Sequence, residues 1–188
     1  MALAEGAFEV VFVCTGNRAR SPLAEALLSQ RIRDLAVLVR SVGVLDVGSV
    51  PALPGAVRAG RRVGVDLRHH VARPLQTREL ANVDLVVGFE PAHVSASVVD
   101  GCAQESRAFS LIELAQLLEG IRNERTHVVS PPGPVVREAH LRRTGSFLSA
   151  PAIADPYGGS EEAFMRTADQ IDACVATIAE VIFGVSPG

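Results

Sequence analysis

The sequence predicts one doubly wound α/β domain, in which helices cover both faces of a four-stranded parallel sheet. Three observations predict this class. The chain has 188 residues, of which 48% are hydrophobic and 21% are charged, as in a globular protein with one sizeable core. Short apolar runs alternate with helical patterns along the chain. The last helical pattern repeats its apolar residues at alternating steps of four and three, which places them on one face.

The predicted strands are short runs of apolar residues that a parallel sheet buries on both faces. They cover residues 8–13, 37–41, 84–89 and 106–110. The predicted helices follow these strands, at residues 22–32, 55–63, 75–81, 91–99, 111–121 and 161–182. Ser21 is suited to cap the first helix and Pro22 to begin it. Residues 122–150 lose the periodic pattern and contain a proline cluster, which predicts an irregular loop within the single domain 1–188.

Composition and charge exclude several classes of protein. The formal net charge of −3 argues against a general nucleic-acid binder. No apolar run approaches the roughly 18 residues that span a bilayer, so we expect no membrane insertion. Residues 1–6 lack the features of a signal peptide, which favours a cytoplasmic protein. In that reducing compartment Cys14, Cys102 and Cys174 are expected to be free thiols. The sequence leaves the oligomeric state open.

Residues 13–22, with the sequence VCTGNRARSP, join the first predicted strand to the first predicted helix. A loop at such a junction directs backbone N–H groups and the positive end of the helix at one point, where an anion binds. Gly16 and Asn17 tolerate the left-handed backbone that such a loop requires. The sequence therefore predicts a phosphate-binding loop between the first strand and the first helix.

Two reactive side chains begin and end this loop. The positive field of the loop stabilises Cys14 as a thiolate, which is the nucleophilic form of cysteine. Arg20 can grip two oxygens of a phosphate through its planar guanidinium. Together these residues predict displacement of a phosphoryl group through a covalent cysteinyl phosphate. Their spacing alone leaves a second interpretation open, in which Cys14 is a buried structural cysteine at a strand end.

The segment VCTGNRARSPLAEALL resembles the C-x-G-N-x-x-R-S-P-x-A-E signature of the low molecular weight protein tyrosine phosphatases. The similarity extends along most of the chain. Four further segments resemble motifs of the same family: 40–43 (RSVG), 70–75 (HVARPL), 84–87 (DLVV) and 154–157 (ADPY). The chain thus resembles a bacterial member of this family.

The resemblance implies a chemical role for several residues. Cys14 would be the nucleophile, and Arg20 would hold the phosphoryl oxygens together with the loop N–H groups. Asp155 would protonate the leaving oxygen and then deprotonate the water that hydrolyses the cysteinyl phosphate. From the residues alone, Asp155 before a proline is first interpreted as a turn signal ahead of a helix. Ser21 would stabilise the thiolate as it leaves. The phosphate would contact the whole loop, through Thr15, Gly16, Asn17, Arg18, Ala19, Arg20 and Ser21.

The resemblance also implies how the loop is supported and what it acts on. Asn17 would hold its strained conformation through hydrogen bonds with Ser41 and His70, and Ser21 would support the same loop. Tyr157 would form a wall of the substrate pocket. The reaction would need no metal and no cofactor, and the partner would be a phosphorylated protein.

The sequence departs from the family pattern at three positions. Ala19 stands where many relatives carry a second cysteine that can form a disulfide with the nucleophile. Arg18 stands where tyrosine phosphatases often have an apolar residue and bacterial arginine phosphatases have threonine. Tyr157 is followed by two glycines instead of a second aromatic residue, as in some bacterial members that include arginine phosphatases.

The sequence predicts one main function and leaves three alternatives to it. Phosphotyrosine is the first expected substrate, and phosphoarginine is the alternative on the same scaffold. Arsenate reduction would need a cysteine directly after the third strand, where this chain has Phe89 and Glu90. A phosphate-binding module without catalysis would not need Asp155.

We expect Arg18 at the rim of the pocket, where its charge would repel the guanidinium of phosphoarginine.

Overall fold

A computed structural model describes residues 7–124, 131–146 and 149–185, and its sheet has four parallel strands. The strands are β1 (Phe8–Cys14), β2 (Val37–Gly43), β3 (Leu85–Gly88) and β4 (Ala108–Ser110). They lie in the order β2-β1-β3-β4, so β1 has a parallel neighbour on each side. The carboxyl ends of parallel strands meet at one edge of a sheet, and Cys14 ends β1 at that edge.

Helices cover both faces of this sheet, which confirms the predicted doubly wound architecture. The α-helices of the described residues are α1 (Arg20–Arg31), α2 (Pro54–Arg62), α3 (Pro91–Val99), α4 (Leu111–Glu124), α5 (Pro132–Arg142) and α6 (Glu161–Phe183). Successive side chains of β1 point to opposite faces. Val10 and Phe12 join the larger core, which contains residues of α1, α4 and α6, whereas Val11 and Val13 join a smaller core beside α3.

Residues 122–150 differ from the irregular loop that the sequence predicts. Helix α4 continues to Glu124, and α5 occupies the middle of the stretch. Proline is tolerated in the first turn of a helix, where its missing N–H would have no partner, so the proline cluster begins α5 instead of excluding a helix. The buried face of α5 consists of Val135, Val136 and Ala139. The remaining parts of the prediction, 125–130 and 147–148, lie outside the described residues.

The helix predicted at residues 75–81 is also wrong. Residues 77–82 form a series of turns, and Arg78 has a φ of 62°, in the left-handed region that ends a right-handed helix. The apolar side chain of Leu80 is buried in the smaller core, and its backbone N–H donates to the carbonyl of Gly101 at 2.8 Å. Its burial reflects this long-range contact and not helical periodicity.

None of the described helices is long and apolar enough to cross a bilayer. Residues 1–6, on which the expectation of no signal peptide rests, lie outside the described part of the chain.

Candidate active site

The loop that follows β1 passes directly into α1 without a side-chain cap. The N-cap residue is Ala19, and Ser21, which the sequence predicts as the cap, lies inside the first turn. The Ser21 hydroxyl is 3.0 Å from the Sγ atom of Cys14, which is itself buried. Ala19 has no side-chain acceptor, so the N-cap residue caps none of the first N–H groups of α1. Such groups are free to bind an anion at the helix N-terminus.

Asn17 holds the loop in a strained conformation. Its φ is 51°, in the left-handed region, and its side chain is fully buried. The side-chain amide donates to the hydroxyls of Ser21, at 2.9 Å, and Ser41, at 2.8 Å. Its Oδ1 atom accepts from the backbone N–H of Arg73 at 2.9 Å, and its carbonyl oxygen lies 2.7 Å from Nε2 of His70. These contacts satisfy the buried amide and offset the cost of the left-handed backbone.

The end of β2 supports the same loop at Gly43. A Cβ atom at this position would lie 2.8 Å from the backbone nitrogen of Asn17 and 2.9 Å from the carbonyl carbon of Gly16. Two residues further, the backbone N–H of Leu45 donates to the carbonyl of Thr15 at 2.8 Å. The loop therefore rests directly on the β2 backbone, and only glycine leaves the necessary space.

Four groups hold the guanidinium of Arg20, whose side chain is only 1% exposed. Its Nη1 atom donates to the Glu90 carboxylate and to the carbonyl of Ile153, the latter at 2.9 Å. Its Nη2 atom donates to the Thr15 hydroxyl at 3.0 Å and to the Asp155 carboxylate. A buried cation is costly unless anions compensate it, and Glu90 and Asp155 supply this compensation.

Asp155 and Tyr157 approach the pocket from the segment before α6. Besides its ion pair with Arg20, Asp155 accepts a hydrogen bond from the backbone N–H of Tyr157, at 3.1 Å. The Tyr157 side chain is 72% exposed and lines the same pocket as Asp155 and Cys14. The structure thus brings the predicted nucleophile, clamp and acid to one place.

The pocket above Cys14 has a volume of about 270 Å³ and combines a polar base with apolar walls. Arg18 is one of its lining residues, and its Nε atom donates to the carbonyl of Pro51 at 3.0 Å. Leu45, Val47 and Leu53 line the pocket as well. Their apolar side chains suit a ring or an aliphatic chain beside the phosphoryl group.

His93 lies behind the pocket, 2% exposed, on α3. Its Nε2 atom is 3.0 Å from the Thr15 hydroxyl, and its Nδ1 atom accepts from the backbone N–H of Phe89 at 3.3 Å. Burial and, secondly, the charge of Arg20 lower the pKa of His93 to about 4, although the nearby carboxylates of Glu90 and Asp155 oppose this shift. His93 is therefore neutral at neutral pH.

The pKa of His93 predicts a pH-dependent stability. Between about pH 6.5 and about pH 4 the unfolded chain binds more protons at this residue than the folded protein, so the free energy of unfolding falls as the pH falls. We expect a loss of about 2–3 kcal/mol from this residue across the window. Urea unfolding at several pH values should show a smaller loss for His93→Gln than for the unmodified protein. Equal losses in both proteins would contradict this origin.

Several residues of the site were not predicted from the sequence. Glu90 and His93 carried a usable signal, because they follow β3, whose carboxyl end lies beside that of β1. Glu25 accepts from the Ser41 hydroxyl at 2.5 Å and so extends the contacts of Asn17. The backbone carbonyl of Ile153 had no side-chain signal, because its position depends on the path of the whole chain.

The site has a cysteine and an arginine on one anion-binding loop, at the carboxyl edge of a parallel sheet. This arrangement defines a class of enzymes, the cysteine-dependent phosphatases of the α/β type. The family model "Low molecular weight phosphotyrosine protein phosphatase" matches residues 9–133, which is more than half of the chain. The chain belongs to this family.

Relatives from two bacteria match most of the chain. A protein-arginine-phosphatase of Bacillus subtilis is 28% identical over 92% of this chain and 95% of its own length. The low molecular weight protein-tyrosine-phosphatase Etp of Escherichia coli is 28% identical over 82% of this chain and 81% of its own. One similar solved structure is a mutant of YwlE arginine phosphatase with a phosphorylated active-site serine. It is 28% identical to this chain and has a TM-score of 0.65, and the match covers 92% of this chain and 94% of the YwlE chain.

Proposed function

We propose that this protein hydrolyses phosphotyrosine in protein substrates through a cysteinyl-phosphate intermediate. The observation that carries the proposal is the meeting of Cys14, Arg20 and Asp155 at one pocket. In the first step the Cys14 sulfur attacks phosphorus, an S–P bond forms and the P–O bond to the tyrosine breaks. Asp155 gives its proton to the leaving oxygen, since a phenolate is a poor leaving group without it.

The second step regenerates the enzyme. Asp155, now a carboxylate, takes a proton from a water molecule whose oxygen attacks phosphorus. The S–P bond breaks, inorganic phosphate forms and Cys14 leaves as a thiolate. The Ser21 hydroxyl, 3.0 Å from Sγ, donates to this thiolate and stabilises it. The phosphorylated serine of the YwlE mutant supports phosphoryl transfer to the residue at this place in the family.

The phosphoryl oxygens would bind to the loop N–H groups, to the first turn of α1 and to Arg20. The residues in contact with them would be Thr15, Gly16, Asn17, Arg18, Ala19, Arg20 and Ser21. Asp155 accepts a hydrogen bond from the Nη2 atom of Arg20, and an incoming phosphoryl dianion would replace it there. This exchange frees the Asp155 carboxylate, which takes up a proton as the substrate binds and then gives it to the leaving oxygen. No step uses a metal or a cofactor, and we place the reaction in the cytoplasm, where thiols stay reduced.

Phosphotyrosine is favoured over phosphoarginine by the rim of the pocket. A tyrosine ring fits between the apolar side chains of Val47 and Leu53 and the ring of Tyr157. Arg18, whose Nε atom is held by Pro51, adds a positive charge that would repel the guanidinium of phosphoarginine in a partly desolvated site. The similarity to a protein-arginine-phosphatase over nearly the full length keeps phosphoarginine as the second candidate substrate.

Turnover of matched phosphotyrosine and phosphoarginine peptides by one preparation tests the substrate. We expect higher kcat/KM for the phosphotyrosine peptide, and no loss of activity when a chelator is added. Arg18→Thr should raise kcat/KM for phosphoarginine relative to phosphotyrosine, by about three- to tenfold, because the repulsive charge is removed.

Arg58→Thr is a matched control, because Arg58 is exposed and pairs with Glu161 on α6, away from the lining of the pocket. This variant should keep the ratio of the unmodified protein. An unchanged ratio in Arg18→Thr would show that Arg18 does not discriminate between the two substrates.

A further inference from the structure

The planar guanidinium of Arg20 has five N–H bonds. The acceptors that they already have determine which edge of the guanidinium is left to bind a phosphoryl group. Both protons of Nη1 are used, by Glu90 and by the carbonyl of Ile153. Nη2 bonds to Thr15 and Asp155, and within residues 7–124, 131–146 and 149–185 no group accepts from Nε. Once a phosphoryl group replaces Asp155, it meets the edge formed by Nε and Nη2. Thr15 is then the protein contact that remains on Nη2.

Thr15 is held in turn by His93. The backbone N–H of Phe89 donates to Nδ1 of His93, so Nδ1 carries no proton and Nε2 does. Nε2–H therefore donates to the Thr15 hydroxyl oxygen, at 3.0 Å. This oxygen now accepts two hydrogen bonds, one from His93 and one from Arg20, and both of its lone pairs are used. The hydroxyl proton is left to donate into the pocket, which Thr15 lines.

We propose that His93 is a positioning residue that acts through Thr15 to hold the Nε–Nη2 edge of Arg20 toward the phosphoryl group. The same contact directs the Thr15 proton at a phosphoryl oxygen. This inference rests on the proposed phosphatase function and adds to it a residue that no step of the reaction touches.

The surroundings of His93 fit such a role. Helix α3 packs tightly against the end of β3, since a Cβ at Gly88 would lie 2.9 Å from the Cβ of His93. The charged groups that face the ring are Arg20, Glu90 and Asp155. A second proton on the ring would place a donor at Nδ1 against the Phe89 N–H, so only the neutral ring supports Thr15.

A set of variants in the full chain tests this role by kcat/KM for a phosphotyrosine peptide. His93→Leu removes the donor and should lower kcat/KM about tenfold. His93→Gln places an amide N–H near the former Nε2 position and should recover most of the activity. Thr15→Val should lose at least as much as His93→Leu. The double variant should be no worse than Thr15→Val alone, because His93 acts through Thr15.

Two further variants separate positioning from folding. Ser97→Ala, on the same helix, removes a buried hydrogen bond to the His93 carbonyl and should keep full kcat/KM. His93→Asn has an amide too short to reach Thr15 and should lose activity like His93→Leu, while thermal unfolding shows a folded protein.

The results can contradict the inference independently of the proposed function. Full activity in His93→Leu, no recovery in His93→Gln, or multiplied losses in the double variant would each overturn the role of His93. A folded, unmodified protein that hydrolyses neither phosphotyrosine nor phosphoarginine would instead overturn the phosphatase function itself.

Discussion

Cys14→Ser should lower turnover of a phosphotyrosine peptide by at least about 10³-fold, since the hydroxyl is a far weaker nucleophile than the thiolate. The change is small in volume, and Ser21 remains within reach of the new hydroxyl, so we expect the fold to be kept. Steady-state kinetics give the loss, and intact mass spectrometry should show a phosphorylated cysteine only in the unmodified protein quenched during turnover.

Matched controls come from the other two cysteines. Cys102→Ser and Cys174→Ala should retain activity, because neither residue lines the pocket. Burial raises the pKa of Cys174 to about 11, and the charge of Glu119 acts in the same direction, so this thiol stays protonated and should alkylate slowly near neutral pH. Substantial turnover in Cys14→Ser would rule out a cysteinyl phosphate as the intermediate.

Asp155→Asn should separate catalysis from anion binding. Without a proton donor, turnover of phosphotyrosine should fall by about 10²–10³-fold. The loss should be smaller for an activated aryl phosphate, whose phenolate leaves without a proton. Because the asparagine carries no charge to compete for Arg20, inorganic phosphate should bind about three- to tenfold more tightly. Calorimetric titration with phosphate measures this second effect.

Glu161→Gln makes the same change of charge at an exposed residue that pairs with Arg58. This control should leave both turnover and phosphate affinity unchanged. If phosphate bound to Asp155→Asn no more tightly than to the unmodified protein, the ion pair with Arg20 would not be in competition with the substrate.

The sheet and the phosphate-binding loop could be predicted because their signals are local. An apolar run, a loop with Gly16 and Asn17, and a proline near the start of α1 lie within a few residues of one another. The family resemblance then brought Asp155 and His70 to the same site from distant parts of the chain.

Other features depend on long-range packing and could not be predicted. The position of Ser21 inside the loop's contacts depends on Asn17 and Cys14, which both lie within hydrogen-bond distance of its hydroxyl. The proline cluster of α5 has the composition of a loop, and only burial of its apolar face against the core makes it a helix. Leu80 shows the reverse case, since an apolar residue at helical spacing is buried by a turn.

The contact between Gly43 and the loop has a consequence for the entropy of binding. With the β2 backbone on one side and the buried amide of Asn17 on the other, the loop is ordered when the chain folds and not when an anion arrives. The loop therefore loses little conformational entropy when an anion binds, and binding does not require the loop to close first. A substitution that loosens this support, such as Gly43→Ala, would weaken stability and anion affinity together, because one set of contacts serves both.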